Sequence, residues 1–490
     1  MKGIMIQGTA SNVGKSWIAT GLCRWFAREG VRVAPFKSQN MSNNAYVTIQ
    51  GEEIGRAQGI QAEAAGVEAT VEMNPILLKP TSDQRSEVIL RGVSQTVWSG
   101  SEYRKKGYEK GKQAIRKSAE RLKEDYDMLV VEGAGSPVEI NLNDRELVNM
   151  SIADMLDMPV ILVADIDRGG VFASIVGTLE LLEPHHRRRV QGLIINKFRG
   201  ERTLFEDGVK WLEARTGIPV IGVLPYLNNH GIEGEDSLTV ENVRSSRERA
   251  LDIAVVHWPY LANESDIQPL AYEPDVSIRY VSSFYSLGHP DALILPGTRS
   301  TIEDYTAFEQ LGLKDAVQKY AEQGGTIVGI CGGYQVLCET MYEDSEDEEG
   351  IGGIGVFPLT TTFFAEKHTM RVKGQTHEAS GFKVSSMNGY EIHLGQTKGE
   401  RTTPFLDLLN GLEGISLENG RLIGTYLHDC FHNDEWRTEW LNRLRDQAGL
   451  PERPVTRIAE RQERYDRLAD HLERHLDIHS LKRIAEGAVS

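Results

Sequence analysis

TIVGICGGYQ, residues 326–335, sets an apolar, β-rich run against a helix start, with a lone thiol at the junction. Val328, Gly329 and Ile330 lead into Cys331, and Gly332 and Gly333 follow it. Small residues of this kind suit a strand-to-helix turn tight enough to project the sulfur into a cleft. A thiolate at a helix N-terminus gains from the macrodipole, and the backbone N–H after it can face a developing oxyanion. A buried structural cysteine between two glycines is the competing reading. A nucleophile also requires a base, and LIGTYLHDC, Leu422 to Cys430, supplies an apolar strand-like run with His428 near its end.

A second strand–turn–helix signal opens the chain. Gly3 to Gln7 reads as a buried strand and runs into GTASNVGKS, Gly8 to Ser16, followed by a helical pattern through Arg28. Backbone N–H groups of such a loop, here Gly8 and Thr9 through Gly14, cradle phosphates. Lys15 reaches the terminal ones and the Ser16 hydroxyl can bind Mg²⁺. A strand over Val31–Phe36 delivers Lys37 into the polar loop KSQNMSNNA, at a strand end where open α/β sheets bind ligands. Glu52 to Gly66 reads as a helix with Glu53 near its start, a position the dipole gives to a carboxylate whether or not it binds metal. Asp127 to Val131 is a buried strand leading to Glu132. A carboxylate at a strand end facing the phosphate loop suits a Mg²⁺ ligand, directly or through water.

Further β-rich runs at 159–165, 190–197 and 219–224 alternate with helical stretches, which predicts a parallel, doubly wound sheet. A polar stretch over 231–250, with the run RSSRER, reads as a linker. A second α/β series starts at Leu251, continues through 277–281, 292–295 and 326–330, and ends near His428. The expected organisation is therefore α/β in two domains, 1–230 and 251–445, with a helical tail over 446–490. In the tail His471, His475 and His479 recur every fourth residue, but the leucines and isoleucine around them make an amphipathic packing helix. The acidic run over 343–349 reads as a solvated loop.

Composition narrows the partners. The 490 residues exceed one domain, and 40% hydrophobic with 26% charged residues is an ordinary globular balance. Four cysteines without zinc or disulfide-framework spacing fit a reducing cytoplasm. A formal net charge of −17 argues against nucleic acid or an anionic membrane as partner, and no run is long enough to span a bilayer.

The pattern Gly329, Cys331, Gly333, Gln335 resembles the nucleophile turn of triad-type (class I) glutamine amidotransferases. The resemblance implies glutamine as a substrate, Cys331 as the nucleophile that forms a glutamyl thioester and releases ammonia, and His428 as its acid and base. It also implies backbone at Gly297, in the turn LPGT, and at Gly332 as oxyanion donors. The chain departs from the family at one point: a Glu often follows the His by two residues, and Cys430 stands there. Asp429, adjacent on a strand, would face the other way, so a Cys331–His428 dyad is expected.

The first loop is similar to that of the dethiobiotin synthetase group. That similarity implies ATP as the nucleotide, Mg²⁺ held by Ser16, Glu53 and Glu132, and Asn196 as an adenine-recognising residue. Lys37 is expected to help offset charge on the phosphates. Taken together, QGTASNVGKS, APFKSQNM, MNPILLKPTSD, EGAGSP, INKFRG, PGTRST, GICGGYQ, GYEIH and TYLHD resemble the cobyric acid synthase family over nearly the whole length. The implied reaction is ATP- and glutamine-dependent amidation of the b, d, e and g carboxylates of adenosylcobyrinic acid a,c-diamide, in cobalamin biosynthesis. Two other readings stand beside it. One is a cobyrinic acid a,c-diamide synthase, from which KSQNM and MNPILLKPTSD point away. The other is a partitioning-type ATPase switch with a non-catalytic amidotransferase-like domain, whose loop would carry an early Lys where Thr9 and Ala10 stand.

Overall fold

Strands covered on both faces read as unbroken apolar runs, and six of them build the sheet of the N-terminal half. They are β1 (Lys2–Gly8), β2 (Val33–Phe36), β3 (Met128–Glu132), β4 (Val160–Asp165), β5 (Val190–Phe198) and β6 (Val220–Pro225). In this computed structural model, which describes residues 2–82, 84–227, 251–343, 349–399, 403–455 and 461–487, they lie in the order β6-β5-β4-β1-β3-β2, all parallel. The register sets Ile6 of β1 beside Glu132 of β3, so the carboxylate and the loop after Gly8 emerge on one sheet edge. Helix α1 (Lys15–Arg28) starts there. The expected linker, 231–250, lies outside the described residues, as does most of the acidic run.

Between β2 and β3 the chain departs from the expected plain helix. Ala45–Val47 and Glu53–Gly55 pair as an antiparallel hairpin, with Val47 opposite Glu53, and helix α2 (Arg56–Ala65) begins only afterwards. Cross-strand pairing has overridden the helical pattern at Glu53.

The second half repeats the architecture. Strands β7 (Leu251–Val256), β8 (Val276–Val281), β9 (Ala292–Leu295), β10 (Thr326–Ile330), β11 (Ile415–Leu417) and β12 (Leu422–Thr425) lie in the order β8-β7-β9-β10-β12-β11. Only β11 runs antiparallel to its neighbour. Helix α3 (Gly332–Leu337) leaves β10 through Cys331. A long hairpin, Phe357–Thr376 against Met387–Lys398, was not legible as one unit in the sequence. It reaches the first domain, where Arg371 Nε donates to Val47 O at 2.7 Å.

The tail folds back onto the first domain. Helix α4 (Arg461–His475) lies along α1, with Leu468 and Leu472 against Gly21 and Arg24 bonded to Asp466 at 2.8 Å. His471 meets the Trp17 ring edge-on at 5.6 Å, and burial pushes its pKa down to about 4, which keeps the imidazole neutral in that packing. No helix among the described residues is long and apolar enough to cross a membrane.

Candidate active site

Cys331 joins β10 to α3 with φ 51° and ψ −108°, a conformation that costs an L-residue energy and is held here by its neighbours. Its N–H donates to Thr425 O at 2.8 Å and its carbonyl accepts from Gln335 N at 3.0 Å. Gly333 makes the turn possible, because a Cβ there would stand 1.9 Å from the Leu295 carbonyl oxygen. The sulfur, in a residue 8% exposed, lies 3.5 Å from Ile392 O. Gly297 is packed against the same atoms: a Cβ on it would come 3.2 Å from His428 Cε1 and 3.8 Å from Cys331 Cβ. A Cβ on Gly332 would come 3.0 Å from Thr298 N, so the turn after Leu295 and the turn at Cys331 are in contact. The Asp304 carboxylate braces the former, accepting from Thr298 Oγ1 and from Tyr260 N at 3.2 Å.

His428 lies in the loop after β12, its N–H donating to Tyr390 O at 2.9 Å and its ring stacked on that of Tyr390 at 5.0 Å. Here the expected dyad is corrected. The Asp266 carboxylate, on a short turn after β7, meets His428 Nδ1 at 2.7 Å, and both side chains are buried. Its second oxygen accepts the Asp429 N–H at 2.8 Å. Burial opposes a charged imidazole, but the Asp266 charge and hydrogen bond, with a further bond to Cys331, outweigh it and push the His428 pKa up to about 10. Cys430, at the position where the amidotransferase pattern has Glu, is fully buried in the core and burial raises its thiol pKa. Cys430→Ser is therefore expected to keep glutaminase turnover within roughly tenfold of wild type, in an assay of glutamate release.

The phosphate loop is shaped by Gly14 at φ 101°. Thr9 N donates to Val163 O at 2.9 Å, Asn196 Nδ2 to Val13 O at 2.8 Å and Lys197 Nζ to Asn12 O at 2.7 Å. Asn196 thus pins the loop itself. Lys15 Nζ arches back to Ala10 O at 2.9 Å and Gly135 O at 3.2 Å. Ser16 Oγ donates to Glu132 Oε1 at 2.7 Å, and Lys37 Nζ meets the same oxygen at 3.0 Å. Burial would raise the Glu132 pKa, but the Lys37 charge and the bonds from Ser16, Gln61 and Lys37 hold it below the usual range.

Glu53, expected beside Ser16 and Glu132, is elsewhere. Hairpin pairing turns it toward the interface between the halves, where its carboxylate takes Lys79 Nζ of its own half at 2.5 Å and Lys367 Nζ of the other at 3.0 Å. Gln61 of α2 stands where Glu53 was expected, donating to Glu132 Oε2 at 2.7 Å. Its Oε1 is buried and has no hydrogen-bond partner among the described residues. The sequence offered no signal for Gln61 beyond its place on α2.

The cysteine site opens on the interface between the two halves. A cavity of about 300 Å³ is lined by Cys331, His428, Asn263 and Gly297 from the second domain and by Lys79 and Thr81 from the first. The Asn263 amide nitrogen lies 3.4 Å from both His428 ring nitrogens, while its Oδ1 accepts from Ala45 N at 3.0 Å.

Known proteins divide the chain at the same place. Residues 4–238 match the CobQ/CobB/MinD/ParA nucleotide binding domain and residues 252–436 the CobB/CobQ-like glutamine amidotransferase domain. The cobyric acid synthase of Anoxybacillus flavithermus is 46% identical over 98% of this chain and 96% of its own. That of Desulforamulus reducens is 46% identical over 99% of both chains, and that of Nostoc punctiforme 47% over 98% and 99%. With a nucleotide-binding domain in one half, a Cys–His–Asp cluster in the other, and this identity end to end, the chain belongs to the cobyric acid synthase family of glutamine-dependent, amide-forming ligases.

Proposed function

We propose that the chain amidates the b, d, e and g carboxylates of adenosylcobyrinic acid a,c-diamide, using ATP and glutamine, to give adenosylcobyric acid. The observation that carries this reading is the shared cavity, whose walls hold the nucleophile on one side and residues of the nucleotide domain on the other. In the glutaminase half, Cys331 Sγ attacks the side-chain amide carbon of glutamine, with the backbone at Gly297 and Gly332 facing the oxyanion. His428 gives its proton to the departing nitrogen, ammonia leaves, and a glutamyl thioester remains. Water, deprotonated by the now neutral His428, hydrolyses it to glutamate.

In the synthetase half, the carboxylate must first be made an electrophile. Transfer of the ATP γ-phosphoryl group to its oxygen gives an acyl phosphate and ADP, and ammonia then displaces phosphate at carbon. Lys15 and Lys37 are placed to offset the charge on the transferring group. The donor set fits Mg²⁺: the Ser16 hydroxyl, the Glu132 carboxylate and the unpartnered Gln61 Oε1, which can accept from a metal-bound water. Mg²⁺ held there would supply charge neutralisation between the phosphates. Ammonia released into bulk water would be protonated, and the cavity running from Cys331 to Lys79 and Thr81 gives it a sheltered exit toward the nucleotide domain.

One experiment tests the whole reading. The a,c-diamide, with ¹⁸O in its free carboxylates, is incubated with ATP and glutamine, and the products are weighed by mass spectrometry. The expected products are the corrinoid with four new amides, at b, d, e and g, and phosphate carrying one ¹⁸O per amide formed. Amidation at a and c of unsubstituted cobyrinic acid, with no turnover of the diamide, would favour the diamide synthase reading instead. Label appearing in AMP would replace the acyl phosphate by an adenylate.

A further inference from the structure

Helix α2 touches both reaction centres. Near its C-terminal half, Gln61 bonds to Glu132, which shares its other oxygen with Ser16 and Lys37. At its first residue, Arg56 Nη2 reaches Asp429 Oδ1 at 3.0 Å, in an ion pair whose side chains are 3% and 17% exposed. The two contacts are five positions apart, about 7.5 Å along the axis at the helical rise. Asp429 is the residue after His428, and its N–H donates to the Asp266 carboxylate that orients His428. It holds φ 62°, in the left-handed region that Asp adopts more readily than most side chains.

A second thread starts at the same residue. Arg56 N–H donates to Asn44 O at 3.1 Å, Asn44 Oδ1 accepts from Glu264 N at 3.1 Å, and Glu264 opens the turn that carries Asp266. Ala45 N–H meanwhile holds Asn263, the residue against the His428 ring. The far end of α2 is anchored as well: Glu63 accepts from Arg461 at 3.1 Å and from Tyr465 at 2.9 Å. Arg461 also approaches Asp429, at 3.9 Å, and His432 approaches it at 3.6 Å, so Asp429 faces three cationic or titratable groups.

We propose that Arg56 is a positioning residue for glutamine hydrolysis, through which the state of the phosphate site, sensed at Gln61, is transmitted along α2 to Asp429, Asp266 and His428. The inference rests on the function proposed above and adds to it the element that couples the two half-reactions. A coupling device must interact differently with the two states it links. Gln61 meets that requirement, because its buried Oε1 has no hydrogen-bond partner among the described residues while its amide nitrogen donates to Glu132. Ser16 and Glu132 would hold a divalent cation, whose binding would draw the Glu132 carboxylate from the Gln61 amide and leave Gln61 to rearrange. A packed helix answers such a change by moving as a body, and Arg56 carries the movement across the interface.

The test reads Cys331 directly. The rate of Cys331 alkylation by iodoacetamide is measured on the full chain with and without Mg²⁺ and a non-hydrolysable ATP analogue, alongside glutaminase and ammonia-dependent synthesis. Wild type is expected to change its alkylation rate on analogue binding by about fivefold or more, the usual span of intersite coupling. Arg56→Met should bind the analogue, measured calorimetrically, and synthesise from ammonia within about threefold of wild type, as expected of a residue outside that site. Its alkylation rate should no longer respond, and Arg56→Lys should recover part of the response. Should Arg56→Met fail to fold, Asp429→Asn removes the same ion pair from the other side and should give the same loss. A wild type that does not respond, a variant that responds as wild type does, or a variant that loses ammonia-dependent synthesis in step with the response would each overturn the proposal. Cys331→Ala reads the proposed function separately, since it removes glutamine use whatever α2 does.

Discussion

Asp266→Asn is expected to lower glutaminase turnover by about 10⁴-fold while leaving the fold intact, the loss seen when the acid that orients a catalytic imidazole becomes an amide. The Asp266 carboxylate has two jobs: one oxygen meets His428 Nδ1 at 2.7 Å and the other takes the Asp429 N–H at 2.8 Å. An Asn side chain can keep only one of these as an acceptor. If its oxygen keeps the backbone N–H, the NH₂ faces Nδ1 and favours the imidazole tautomer that carries its proton on the sulfur side, the wrong form for a base. The negative charge is also lost, and with it much of what pushes the His428 pKa up to about 10 against burial. Glutamate release should collapse at saturating glutamine, as a change in kcat rather than KM. Synthesis from ammonium salts should stay within about threefold, because Asp266 serves only the release of ammonia from glutamine, which an ammonium salt bypasses. A loss of less than about tenfold in a folded variant would return Cys331 and His428 to a dyad.

Lys15→Ala carries the second large effect, and it should differ in kind. Lys15 Nζ is poised over the phosphate loop by Ala10 O at 2.9 Å and Gly135 O at 3.2 Å, and neither nitrogen source can bypass it. Removing one donor from a transferring group typically costs about 10²–10³ in turnover. Synthesis from glutamine and from ammonia should therefore fall together by about that factor. Basal glutaminase should persist, since the bonds of Lys15 to Ala10 O and Gly135 O lie within the nucleotide-binding half. Product corrinoid, measured by mass with each nitrogen source, checks it. Synthesis that survives with either source would remove Lys15 from the phosphoryl transfer.

What could be read from the chain alone was whatever is local in sequence. Cys331 between its glycines, Lys15 and Ser16 after a strand, and Glu132 at a strand end are each written in a handful of adjacent residues, and a parallel sheet follows from alternating strands and helices. Asp266 is 162 positions from His428, and only the parallel register of β7, β9, β10 and β12 brings them together. An acid in NESD has nothing local to distinguish it from a helix cap. Glu53 shows the opposite failure. Its neighbourhood reads as a helix start, but pairing with Val47 across a hairpin turns its carboxylate to Lys79 and Lys367. The apolar pattern from Arg56 onward then sets Gln61, not Glu53, against Glu132. The contacts between domains, Arg56 with Asp429 and Ala45 with Asn263, depend on two independently folded surfaces meeting, which no periodicity encodes.

The central claim is that one chain makes ammonia at Cys331 and consumes it at the nucleotide site. Cys331→Ala, given ATP and the a,c-diamide, tests it most directly, with amidated corrinoid measured by mass once with glutamine and once with an ammonium salt. The account predicts no amidation from glutamine and amidation from ammonium at close to the wild-type rate. Amidation from glutamine in this variant, or failure with both nitrogen sources in a folded protein, would contradict it.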